Sequence, residues 1–341
     1  MDAPDSPVPP SPEAAPRQPA TVWARAIPIA LTVAIFLIIF WRIPFGAFWQ
    51  ALSKAQLRPF LALMGSFSLC FFLLDTFVLS RLIRWFHGPL PYRELLPVRA
   101  VTYLVSIINT QLAQGALALY IHHRFQTPLG QISSTIVLLI LLEATNLILF
   151  ATIGCLAFPG GAPVALLLLP LILGLVWLLL LSLAHGIWGR LGQRLSTHVL
   201  LSTFRRVRPQ QCVIILGLKG TVFFLALLVH SQALAFFSIQ IPLGRLVAFL
   251  PVVFLMSALP ITVAHLGTSQ AAWIFFFSAY APEADLLAYS LVSHMTFMLA
   301  NGTFGVLFLP RAYSDLFVKT RHLEAASPPR GEASSGADAR G

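Results

Sequence analysis

The chain has 341 residues, 57 % of them hydrophobic and 10 % charged, with a mean hydropathy of +0.82. A soluble domain carries about 25 % charged residues, so a soluble enzyme, a disordered or collagen-like chain and a disulfide scaffold are excluded, leaving an all-α polytopic membrane helix bundle. The net charge of +10 falls between apolar runs rather than on one face, which reads as positive-inside topology and attraction to anionic lipid, not as a nucleic-acid footprint.

Residues 1–22 form a proline-rich tail expected to be disordered, and 313–341, rich in Ala, Ser, Gly, Pro and charge, form a second one. Between them, 23–312 is the membrane domain. A helix crosses the hydrocarbon with ~20 apolar residues. Approximate spans fall at 26–43, 60–82, 131–157, 162–184, 211–237, 244–263, 265–281 and 285–309, eight in all. The first has no small-residue cleavage site after it and reads as an uncleaved span. After it, Phe45, Phe48, Trp49 and Leu52 share one helical face. That fits either a short helix in the membrane interface or an ordinary amphipathic connector.

The stretch 95–125 is different. An apolar arm from Leu95 to Ile108 runs into Asn109-Thr110-Gln111-Leu112-Ala113-Gln114-Gly115, then a second arm ends at His122-His123-Arg124. Amides in mid-span are costly in lipid, so the stretch reads as a re-entrant hairpin. Charge agrees. With 95–125 returning to its own side, Arg81, Arg84, Arg93, Arg99, Arg124, Arg190, Arg194, Arg205, Arg206, Arg208 and Arg311 join both tails on one side. Arg42, Lys54, Arg58 and Arg245 are left on the other. Both termini are therefore expected in the cytoplasm.

A second polar break, Leu259 to Gln270, contains Pro260, Thr262, His265, Gly267 and Ser269. Each break is followed by a short arm, a proline turn (Thr127-Pro128, Ala281-Pro282) and a long apolar helix. Interrupted helices at matching places in two halves point to a transport site; two unrelated kinks at Gly and Pro would look the same.

Asp75, Glu143, Lys219, His230, His265 and His294 are the ionisable groups inside spans. Lys219 pairs naturally with Glu143 or Asp75, as a packing device or as part of a path; Asp75 could instead meet Arg81 or Arg84 at the interface. The histidines read as hydrogen-bonded packing residues, and His122-His123 has no zinc spacing. Cys70, Cys155 and Cys212 lie in apolar runs and read as small buried side chains. No Walker A loop, H-E-x-x-H or G-x-S-x-G is present. No catalytic residue, metal or cofactor is expected.

Pro260-Ile261-Thr262, His265-Leu266-Gly267 and Gln270 resemble the P-x-S-x-x-G-x-G-x-x-E segment of the flippase-like family, the transmembrane domain of lysylphosphatidylglycerol synthases and its stand-alone relatives. Upstream, Arg84-Trp85, Asn109 and Gln114-Gly115 resemble its R-W … N-x-x-P … G-E pattern, and Glu143 to Asn146 its E-R-x-x-D helix. The resemblance spans roughly 25–310. Neutral residues stand at several of the family's charged positions: Gln270 for the glutamate, Ala116 after the early glycine, Ala144 after Glu143. It implies a non-enzymatic protein of the bacterial inner membrane, without the aminoacyl-transferring domain, that moves a phospholipid or lipid-linked glycan. The expected head-group path is Asn109, Gln111, Gln114, Gly115, Glu143, Lys219, Pro260, Thr262, His265, Gly267, Ser269 and Gln270, between the two breaks. The alternative is a non-catalytic membrane partner that positions a glycosyltransferase or lipid-modifying enzyme through the loop 184–208. An intramembrane enzyme ranks last, because no nucleophile–base pair or metal set is visible.

Overall fold

The computed structural model describes residues 22–108, 110–158, 164–187, 198–258 and 266–313. These are all helical or connecting, with no strand among them. The helices are α1 (Val22–Arg42), α2 (Phe45–Lys54), α3 (Leu57–Phe86), α4 (Tyr92–Ile108), α5 (Thr110–Phe125), α6 (Leu129–Ala157), α7 (Leu169–Ala184), α8 (Ser202–Arg206), α9 (Pro209–Ala235), α10 (Leu243–Ala258), α11 (Thr268–Phe277) and α12 (Glu283–Tyr313).

Among the described residues, five helices are long and apolar enough to cross a bilayer: α3, α6, α7 with its preceding turn, α9 and α12. A sixth crossing is counted if α1 and α2, bent by 85° to each other, are taken together. Large apolar side chains stand outward on them, as with Leu178 at 67 % and Leu299 at 70 % exposure. Such belts are stable only against lipid, and the chain is a multi-pass membrane protein. The eight spans read from the sequence are not all of spanning length. The region 265–281 holds a 10-residue helix, α11, about 15 Å long at 1.5 Å per residue. The region 244–263 holds a 16-residue one, α10. Residues 45–54 form a short helix, and the apolar residues expected on one face divide: Phe48, with Ala51, is inward, while Phe45 and Trp49 are outward.

The two halves repeat one pattern: a long helix, two short ones, a long helix (α3, α4–α5, α6; then α9, α10–α11, α12). They exchange partners. The most extensive helix contacts are α12 along α4 and α6 along α10. Side chains repeat it. Phe72 meets Tyr103 of its own half (5.9 Å) and Phe304 of the other (5.3 Å). Phe223 meets Phe254 (6.1 Å) and Phe150 (4.5 Å) in the same way. Phe72 and Tyr103 are 31 residues apart, as are Phe223 and Phe254.

The halves are also inverted. The start of α3 lies by the end of α9, where the Gln56 N–H donates to the Phe236 carbonyl at 2.9 Å. Within α4–α5, Glu94 of the first turn meets Arg124 of the last at 3.4 Å. Two helices of 17 and 16 residues laid end to end would hold these groups some 45 Å apart, so the pair folds back on itself. α10 and α11 also fold back: Phe249 in the middle of α10 meets Phe276 and Phe277 at the end of α11 (5.2 and 6.0 Å). The first hairpin opens beside the end of α3, the second beside its start.

Two apolar cores result. One gathers Phe60, Phe67, Phe223, Trp273 and Tyr289 at one end; the other gathers Val78, Ile83, Leu117, Ile132 and Ile215 at the other. On α3 the gap between them falls between Phe67 and Val78, and on α9 between Ile215 and Phe223.

Candidate functional site

That gap holds charge. Asp75 of α3 lies in it, buried, where an isolated carboxylate would cost ~3 kcal/mol or more in a membrane. Its Oδ2 accepts from Arg99 Nε (2.9 Å) and Nη2 (2.6 Å) and from the Tyr103 hydroxyl (2.6 Å). Arg99 and Tyr103 are four residues apart on α4 and so share a face. The Arg99 guanidinium also lies over the Tyr103 ring at 4.6 Å, a cation–π contact. Asp75 Oδ1 is left for Lys219 of α9, whose ammonium donates at 2.6 Å. The same ammonium donates to Glu143 Oε1 of α6. Two cations and two carboxylates from four helices leave no net charge.

The cluster is closed except on one side. Side-chain exposure is 4 % at Asp75, 7 % at Lys219 and 13 % at Arg99, but 43 % at Glu143. Beside Lys219, α6 and α9 are in close contact: a Cβ on Gly220 would stand 3.4 Å from the Asn146 amide oxygen. The repeat does not duplicate the charges. By the register of Phe72 to Phe223, Asp75 corresponds to Ala226 and Arg99 to Leu250. One turn beyond Ala226, His230 bonds the Tyr289 hydroxyl at 2.6 Å within an aromatic box of Phe67, Phe254 and Trp273.

The sequence paired Lys219 with Glu143 or Asp75; it binds both. Asp75 does not meet Arg81 or Arg84, and the Arg81 guanidinium lies over the Phe77 ring at 5.0 Å. Arg99, counted above among the surface charges, is inside the cluster. Arg99 and Tyr103 were missed as site residues. The signal was a buried carboxylate needing a cation, with one arginine inside the next apolar arm.

Of the other expected path residues, Asn109, Pro260, Thr262 and His265 lie outside the described residues. Gln111 and Gly115 are exposed on α5. Gln114 lines a crevice of ≈10 Å³ with His87 and Thr135. At the second break Gly267 takes φ +91°, a conformation that favours glycine, and its N–H donates to Gln270 Oε1 at 2.7 Å. Ser269 and Gln270 are buried, and Gln270 Nε2 has no partner among the described residues. The described parts of the breaks have different neighbours: α5 packs on α4 and α6, and α11 on α10, α12 and α1.

At the end carrying Arg124 and Arg206, His87 Nε2 bonds Thr135 Oγ1 (2.9 Å), which bonds Thr203 Oγ1 (2.9 Å). Burial, with the nearby charge of Arg206, holds the His87 pKa down at about 4. Among the described residues no group of three or more His, Cys, Asp or Glu side chains could hold a metal ion. No protein-family model, curated protein or solved structure matches the chain.

Proposed function

We propose that this chain is a translocator of the flippase-like family, carrying a phospholipid or lipid-linked glycan across the bacterial inner membrane. The observation that carries the reading is Glu143. An ionisable group facing hydrocarbon is costly and ordinarily turns to the bundle interior or a watery cavity, whereas this carboxylate, midway along a spanning helix, is 43 % exposed while its partners are buried. A polar head group loses several kcal/mol of hydrogen bonding in hydrocarbon, and an exposed carboxylate beside Lys219 offers a replacement at mid-depth. Gln111, Gly115 and the Gln270 amide add polar groups toward the two breaks. The exchanged, inverted halves suit a protein that alternates between two faces.

In this reading α1, α3, α6, α7, α9 and α12 cross, and α4–α5 and α10–α11 are re-entrant hairpins entering from opposite sides. With Arg99 removed from the count, Arg81, Arg84, Arg93, Arg124, Arg205, Arg206, Arg208 and Arg311 still stand against Arg42, Lys54, Arg58 and Arg245. Both termini are then cytoplasmic.

Proteoliposomes with head-group-labelled lipids test the function. Accelerated redistribution of at least one lipid class, lost in Glu143→Gln, is the expected result. Protein-free rates across phospholipid and glycolipid classes, with an enzyme retained on the purified protein, would replace it with the partner reading.

A further inference from the structure

At the basic end of the molecule α4 and α12 part company. Deeper in, they touch: a Cβ on Gly305 would come within 2.8 Å of the Ala100 carbonyl oxygen, and one on Gly302 within 3.0 Å of Ile107. Toward the end of α12 the small residues give way to Phe308 and Pro310, facing Leu96 and Pro97. Bulky rings at the mouth and glycines at the base make a wedge, and the wedge is a cleft of ≈610 Å³.

The equivalent junction in the other half is shut. There Gly154 of α6 lies so close to α10 that a Cβ would come within 2.5 Å of the Ala248 backbone, and Phe158 lies across Gly244. The cleft is therefore particular to the α4–α12 end.

Its walls are of two kinds. Leu96, Pro97 and Phe308 are apolar, while Arg93, Glu94 and Arg311 carry charge. Glu94 is engaged by Arg124 at 3.4 Å. Neither Arg93 nor Arg311 has a carboxylate partner among the described residues. Two guanidiniums without a carboxylate partner among the described residues, at the rim of an apolar wedge at one end of a membrane-spanning bundle, match one ligand chemistry: a phosphodiester on an acyl chain.

We propose that the α4–α12 cleft is a binding site for an anionic phospholipid, with Arg93 and Arg311 holding the phosphate and Leu96 and Phe308 the upper part of an acyl chain. The site is separate from the Glu143 cluster and does not depend on transport.

The test is native mass spectrometry and thermal unfolding of the detergent-purified full chain. Phosphatidylglycerol, phosphatidylcholine and inorganic phosphate are added separately. Phosphatidylglycerol is expected to be retained and to raise Tm, with a preference over phosphatidylcholine on the order of tenfold. The preference should vanish in Arg93→Gln/Arg311→Gln and persist in Arg58→Gln, which removes an arginine at the opposite end. Circular dichroism of the double variant should match the parent. Equal retention of the two lipids, or a preference surviving in the double variant, overturns the proposal. A Tm rise reproduced by inorganic phosphate alone overturns the lipid assignment.

Discussion

Lys219 Nζ donates to Asp75 Oδ1 at 2.6 Å across 144 residues of chain, tying the first long helix of one half to the first long helix of the other. The bond sits where the two apolar cores leave a gap. It is the polar join between α3 and α9, and it gives the two helices one register along their length.

Removing one charge from this join leaves others buried and uncompensated. Asp75→Asn is expected to destabilise by about 3–5 kcal/mol. Glu143→Gln should cost far less, because its carboxylate is part-exposed and Asp75 remains to hold Lys219. Denaturant titration in micelles gives the order. Glu143→Gln as damaging as Asp75→Asn would mean that Glu143 is an enclosed structural member.

The exchange of partners between halves predicts a steric effect. A side chain at Gly154 meets the Ala248 backbone at 2.5 Å, whereas nothing lies within 4 Å of a Cβ at Gly174. Gly154→Ala is expected to lower stability by about 1–3 kcal/mol through overpacking. Gly174→Ala should be neutral or slightly stabilising. Similar Tm values for the two would argue against the close α6–α10 contact.

His87 gives a pH dependence. Its pKa is about 4 in the fold against 6.5 unfolded, so the fold disfavours the charged form. Its contribution is fully present above about pH 6.5 and is lost as pH falls toward 4. Tm is therefore expected to fall between pH 7 and pH 4.5, and the fall should be shallower in His87→Gln. Identical slopes would show that His87 is not the group responsible.

The class of the molecule was legible because composition alone forbids a water-facing fold. The first hairpin was legible because amides and glycine interrupt an apolar run at Asn109–Gly115; the polar break at Leu259–Gln270 was legible too, but the short arms beside it read as two crossing spans. The pairing of α4 with α12 and α6 with α10 was not. It depends on Gly305 and Gly154 meeting backbone, and Gly302 a side chain, far away in sequence, and a helical glycine does not reveal its neighbour. Arg99 was misplaced for a related reason. An arginine near the start of an apolar arm ordinarily marks the membrane surface, and only the hairpin's packing against α3 brings it to Asp75. Asp75 itself signalled need of a partner without saying which helix supplies it.

In the proposed transport cycle the exposed side of Glu143 faces a polar path and not hydrocarbon. Cysteine accessibility decides it. With Cys70, Cys155 and Cys212 replaced by serine or alanine, Glu143→Cys is treated in liposomes with a charged, membrane-impermeant thiol reagent. Leu149→Cys, on an exposed apolar position of the same helix, is the reference. Glu143→Cys should react at least about tenfold faster, because such reagents attack the thiolate, which needs water. Equal, negligible labelling at both positions would place Glu143 against lipid and rule out a head-group path there.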